Sequence, residues 1–391
     1  MLSLRSTRRL RNFTTSAVSA AAAKNPLQPP ALDKLKAERD PHKLFLLFKA
    51  NATNRLLIEN RFAFDDTVSR LAGARRFDYI EQLLEQQKKL PQARREGFIV
   101  RIIGLYGKVG MTQHALETFY HMDSSRRTVK SFNATLKVLA QTKHFDYVVE
   151  FLEQASLKFD IRLDVYSINI VVKAFCDMGK LQEAYLFMLE SENDKGIRPD
   201  VVTYTTLIAA FYQHRRWEIG NGLWNRMVLK GCMPNLTTFN ARVHFLVCAR
   251  RAWDANAVMG LMERVGIKPD EVTFNLVIKG FFLAGFVDMA KRVYSALHGK
   301  GYKPNSLIYQ TMIHYLCKSG DFDLAYTMCK DSMLKNWFPN VDTICMLLVG
   351  LKRNGKVQKA TIIFTLAKSR KPPFSSSHLA SMQTMLSRGS T

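Results

Sequence analysis

Five prolines, Pro199, Pro234, Pro269, Pro304 and Pro339, stand 35 residues apart without drift. The first four sit in a phrase that returns on the same beat: GIRPDVVTYT, GCMPNLTTFN, GIKPDEVTFN and GYKPNSLIYQ. Proline has no backbone N–H to donate and restricts the residue before it, so it ends a helix rather than continuing one. A break repeated at constant spacing requires one structural unit repeated. Periods of 20 to 50 residues are the mark of solenoids, in which each unit buries its apolar face against its neighbours.

One period holds two helices. In 271–305, Val272, Phe274, Leu276, Val277, Phe281 and Phe282 give an apolar helix, and Gly285 closes it in the left-handed conformation that glycine tolerates. Val287, Ala290, Val293, Tyr294 and Leu297 then recur at helical spacing. GKLQEAYLFMLE and GDFDLAYTMCKDSM repeat the second half of this grammar elsewhere. The aromatic and Met residues of these stripes read as core. The fold expected is all-α: a right-handed superhelical solenoid of about nine helix-turn-helix repeats, at 61–95, 96–128, 129–164, 165–200, 201–235, 236–270, 271–305, 306–340 and 341–375. Residues 31–60 are expected to form a helical segment before the array. The Ser-rich stretch from Pro372, with the tail 376–391, is expected to be loose after its first turns.

An apolar fraction of 47% in 391 residues is ample for such a core. The 57 Lys and Arg outnumber 33 acids, a net charge of +24, so a polyanion is the expected partner. Residues 236–391 contain 21 Lys and Arg against 9 acids, which places phosphate contact toward the C-terminal half. The first 30 residues contain Arg5, Arg8, Arg9, Arg11 and Lys24 and no acid. Such a leader is that of an organelle transit peptide, with the mitochondrial matrix favoured over the plastid, and its removal leaves a charge of +19. No apolar run is long enough for a membrane span. The six cysteines form no CxxC pair and read as reduced thiols, with neither metal site nor cofactor expected. No nucleophile–base set, phosphate-binding glycine loop or zinc-deaminase pattern occurs, so neither catalysis nor a small-molecule substrate is expected.

The segments VVTYTTLIAAFYQHRRWEIGNGLWNRMVLKGCMPN and EVTFNLVIKGFFLAGFVDMAKRVYSALHGKGYKPN resemble the P-class pentatricopeptide repeat. Length, apolar positions, mid-repeat Gly and terminal Pro-Asp or Pro-Asn agree together, over about residues 61 to 375. With ERDPHKLFLLFK ahead of it, the array is similar to short plant mitochondrial members, some of which are constituents of the mitochondrial ribosome. The resemblance implies single-stranded RNA along a concave face lined by first helices, one base per repeat. It also implies that the fifth and last residues of each unit select the base. Asn133 with Asp164 and Asn169 with Asp200 then resemble uridine readers, and Thr205 with Asn235 an adenine reader. Asn240 with Asp270 resembles a third uridine reader and Asn275 with Asn305 a cytidine reader. The implied core is U-U-A-U-C. Gln310 with Asn340 is a less conventional pair. Val100 with Thr128, Asp65 with Arg95, and Cys345 depart from the pattern. The second position, which sandwiches bases in the family, is Val202 and Val272 in two units, but Lys130, Tyr166 and Thr237 in three others.

The same Asn and Asp residues also suit helix N-caps, because a short side-chain oxygen satisfies free N–H groups of the first turn. Two functions therefore stand side by side. One is an adaptor on mitochondrial RNA acting in stability, processing, splicing or translation. The other is a structural protein of the mitochondrial ribosome that contacts ribosomal RNA and ribosomal proteins. A tetratricopeptide-like peptide scaffold ranks below both, since its W-x2-L-G-x2-Y signature is absent.

Overall fold

The computed structural model describes residues 30–142, 145–299 and 301–387. Except for Pro30, the leader expected over residues 1–30 lies outside the described residues. All regular structure among the described residues is helical, as the periodicity predicts.

Three short helices come first: α1 (Pro30–Ala37), α2 (Pro41–Ala50) and α3 (Arg55–Glu59). Helix pairs follow: α4 (Arg61–Gly73) with α5 (Phe77–Lys88), α6 (Glu96–Lys108) with α7 (Thr112–Tyr120), and α8 (Val129–Gln141) with α9 (Phe145–Leu157). Next come α10 (Val165–Asp177) with α11 (Leu181–Asn193), α12 (Val201–Gln213) with α13 (Trp217–Leu229), and α14 (Leu236–Cys248) with α15 (Ala252–Arg264). The last are α16 (Glu271–Leu283) with α17 (Val287–Gly299), α18 (Ser306–Lys318) with α19 (Phe322–Leu334), and α20 (Val341–Arg353) with α21 (Val357–Lys368). Helix α22 (Ser376–Ser387) closes the described chain.

The chain divides into two compact units between Leu105 and Tyr106, inside α6. In the first, α2 lies on α4 and α5. Asp40 caps α2 by accepting from the Lys43 N–H, with Pro41 at the first helical position where its missing N–H does no harm. The Phe45 ring stacks on Tyr79 at 4.3 Å, and Phe48 meets Phe64 edge-on at 4.8 Å.

In the second unit each first helix packs on the next, from α8 through α10, α12, α14, α16 and α18 to α20. Tyr204, Phe211, Phe274 and Phe281 are fully buried between the layers. The expected stripe of α17 is turned inward at Ala290, Val293 and Leu297. Within each pair whose turn is described, that turn has one left-handed residue. Gly110, Gly179, Gly285, Gly320 and Gly355 supply it, but Arg75, Arg215 and Arg250 adopt the same conformation with φ of 56°, 60° and 61°.

One expectation is overturned. The segment after Pro372 is not loose: α22 runs to Ser387 and packs on α20 and α21. Met382 is completely buried there, and Lys352 donates to the Leu386 carbonyl at 2.6 Å. The last pair would otherwise leave its apolar face to water, and a Ser-rich helix with one buried Met covers it. The cysteines divide. Cys176, Cys317 and Cys329 are buried and Cys248 is exposed. Burial pushes the Cys176 and Cys317 thiols up to about 12, which keeps them protonated.

Candidate nucleic-acid interface

Every first helix from α8 to α20 begins at a capping residue, which is Thr128, Asp164, Asp200, Asn235, Asp270, Asn305 or Asn340. At most of these starts a hydroxyl stands three residues on and completes a reciprocal box. Thus the Thr203 N–H donates to Asp200 Oδ1 at 2.9 Å, and the Asp200 N–H donates to Thr203 Oγ1 at 3.2 Å. Each cap satisfies N–H groups that a helix start leaves free and is worth about 1 kcal/mol.

The preceding repeat enters the same box. Asn169 Nδ2 donates to Asp200 Oδ1 at 3.1 Å, and the Thr203 hydroxyl donates to Asn169 Oδ1 at 2.5 Å. Asn133 does the same with Asp164 (3.0 Å) and Ser167 (2.7 Å). Asn240 repeats it with Asp270 (3.2 Å) and Thr273 (2.7 Å). The fifth and last residues of three successive-type units are thus brought together side by side. In each, the hydroxyl meets the amide oxygen and the carboxylate takes one amide N–H, so neither of these partners uses the second N–H.

The other predicted positions are arranged differently. The Thr205 hydroxyl bonds Thr238 Oγ1 at 2.6 Å, while Asn235 accepts from the Thr238 N–H at 3.0 Å. Thr205 and Asn235 are therefore joined through Thr238 rather than directly. Gln310 reaches across its junction, accepting from the Asn340 N–H and donating to Thr343 Oγ1, both at 2.9 Å. That hydroxyl lies 3.2 Å from His314 Nδ1. Burial and then Lys318 hold the His314 pKa down, so the ring is neutral at pH 7. Asn305 caps α18 through the Ile308 N–H at 3.1 Å. Among the described residues no hydrogen bond joins Asn275 to Asn305, and Asn275 Oδ1 is buried without a partner.

Around these junctions the second residue of several units is apolar and exposed: Tyr166 by 53%, Val202 by 55%, Val272 by 44% and Leu307 by 47%. Lys130 and Thr237 are exposed at the same register. Flat or branched side chains facing water beside an unused amide N–H offer a base both a surface and a hydrogen bond. A groove lined by Lys173, Val202, Thr205, Asn235 and Thr237 gathers one such set with a cation.

Electrostatics sharpen the caps. Burial acts to raise the Asp164 and Asp270 pKa values, but the N–H and hydroxyl of Ser167 or Thr273 and the amide of Asn133 or Asn240 outweigh it. Both carboxyls lie below the ordinary range and are ionised at neutral pH. Sequence reasoning missed the hydroxyls Ser167, Thr203, Thr238, Thr273 and Thr343 as parts of the site. Their signal was present, because Ser or Thr stands third in each of these units.

PPR repeat models match residues 199–248, 265–295, and 101–126 with 307–335. A mitochondrial pentatricopeptide repeat-containing protein of Arabidopsis thaliana is 60% identical over 244 residues, which is 59% of this chain and 61% of that protein. Small ribosomal subunit protein mS79 of the same plant is 36% identical over 195 residues, 49% of each. The chain thus spans about half to three-fifths of the length of these curated relatives. The crystal structure of the pentatricopeptide repeat protein PPR10 from maize superposes with a TM-score of 0.51 at 15% identity, over 91% of this chain and 59% of that one. The likeness to PPR10 is one of fold.

Proposed function

We propose that this chain of pentatricopeptide repeats is a non-catalytic, single-stranded RNA-binding protein of mitochondria that takes one base per repeat. The observation that carries this reading is the repeated junction, in which Asn133, Asn169 and Asn240 are held in one orientation with an amide N–H to spare. A fixed donor beside an exposed apolar residue suits the carbonyl edge of uracil and a stacked base. Thr205 with Asn235 would take adenine and Asn275 with Asn305 cytidine, giving U-U-A-U-C. Gln310 with Asn340 adds a sixth contact of undefined base. At about 1–3 kcal/mol of stacking per base, five readers suffice for a stable complex. Occupying a short strand would shield it from nucleases or hold it open for processing, splicing or translation.

The test is equilibrium binding to U-U-A-U-C and to scrambled oligonucleotides of the same composition. Preference for the ordered sequence, lost in the Asn240→Ala, Asn275→Ala double variant, is expected. Equal affinities for all the oligonucleotides would remove the base-reading claim. A second reading, a structural component of the mitochondrial ribosome holding ribosomal RNA and proteins, is favoured by the 36% identity to mS79. Sedimentation of organelle extract separates the two, since a ribosomal component must travel with a ribosomal subunit at low salt.

A further inference from the structure

Of six neighbouring junctions, five share one plan and one breaks it. The third residue of the following unit is Ser167, Thr203, Thr238, Thr273 or Thr343 at five junctions and Ile308 at the remaining one. Where the hydroxyl is present it engages the reader of the preceding unit: Asn133, Asn169, Thr205, Asn240 or Gln310. Ile308 has none to give, and it is wholly buried, so no other group takes its place. Its predecessor Asn275 is only 8% exposed, and its Oδ1 is left without a partner.

An amide has two ends of nearly equal size, and hydrogen bonds decide which faces outward. At Asn133, Asn169 and Asn240 the hydroxyl fixes the oxygen inward, so only an N–H can meet a base. Asn275 lacks that tether and can turn about its last side-chain bond. Turned, it offers its carbonyl oxygen to an incoming donor and relieves the buried, unsatisfied acceptor. We infer that Ile308 is a specificity-determining residue: by withholding a hydroxyl it lets Asn275 accept from the exocyclic amine of cytosine, where the tethered asparagines are confined to the carbonyl edge of uracil. Ile308 acts through Asn275 and touches no base. This inference rests on the base-reading function proposed above and supplies a physical basis for a cytidine at the fifth position.

Two opposite variants test it on the full chain with U-U-A-U-C, U-U-A-U-U and U-U-A-C-C oligonucleotides. Ile308→Thr restores the tether and should shift the C-to-U affinity ratio at the fifth base toward uridine by about tenfold. Thr273→Val removes the tether of Asn240 at nearly constant shape and should shift the ratio at the fourth base toward cytidine by a similar factor. Ratios that stay at the parent value in both variants, with ordered oligonucleotide still preferred over scrambled, overturn the inference and leave base reading intact. Loss of discrimination between ordered and scrambled sequence in the parent overturns both. If Ile308→Thr fails to fold, Thr273→Val decides, and the ratio of two affinities on one protein does not move with stability alone.

Discussion

At three repeat junctions one aspartate both caps a helix and holds the asparagine of the preceding unit. Asp270 caps α16, fixes Thr273 and holds Asn240. Because hydrogen bonds keep the Asp164 and Asp270 pKa values below the ordinary range, the unfolded chain takes up these protons at a higher pH than the folded one. Their stabilisation is complete above the unfolded value near about 3.9 and is lost as pH falls through the depressed folded values. Urea midpoints are therefore expected to hold steady from pH 7 to 5 and to drop below about 4. Asp164→Asn with Asp270→Asn should flatten part of that drop. A second residue-scale prediction concerns Arg215, left-handed at φ 60° where five of the units have glycine. The left-handed conformation costs a non-glycine residue about 1–2 kcal/mol, and glycine's extra chain entropy returns part of this. Arg215→Gly should stabilise the protein by about 0.5–1 kcal/mol in denaturant unfolding.

At the scale of elements, helix contacts are close and unforgiving. A Cβ built on Gly350 of α20 would fall inside the Phe322 ring, which begins α19. Gly350→Ala should cost about 1–3 kcal/mol, read as a lower melting temperature, because the ring must leave a packed position. Helix α22 is held by one deep side chain, and Met382→Ala should cost about 2–5 kcal/mol and expose α20 to hydrogen exchange first. The helix pairs were legible in the sequence because a solenoid writes its packing locally: apolar stripes, a left-handed glycine and a proline recur at fixed offsets. Helix α22 was not legible. Its sequence SSHLASMQTMLS has a weak stripe, and what orders it is the apolar face of α20 and α21, which no local pattern announces. The site was legible by residue type alone. Asn133 and Asp164 were paired through a family resemblance, whereas their bond, 31 residues apart, exists only because two helices are stacked. Ser167 and Thr203 were not singled out from the sequence, because their part in the junction exists only once the stack brings Asn133 and Asn169 against them.

At the scale of the whole molecule, the net charge of +24 would set how the proposed RNA complex responds to salt. Each phosphate neutralised on a single strand contributes about −0.7 to the slope of log affinity against log salt. A five-base complex should give a slope of about −2 to −4, measured from 50 to 300 mM salt. A slope near zero would mean that bases are held without the backbone. Ion pairs also run between neighbouring units on the second helices. Glu192 meets Arg226 at 2.8 Å and Lys230 at 2.6 Å, and Lys291 meets Asp321 at 2.7 Å. Each engages a cation between units, so fewer cations are left for the proposed RNA contact than the sum of Lys and Arg suggests.

The shared junction also decides where such a chain can be cut and rejoined. Thr205, Asn235 and Thr238 form one bonded set, as do Asn240, Asp270 and Thr273. A graft made at the helix start, between 235 and 236, would part each reader from the hydroxyl that aims it. The portable cassette instead runs from the fifth residue of one unit to the third of the next, 240 to 273 for instance. Exchanging segments in that frame would carry a letter of the recognition code together with its own hinge.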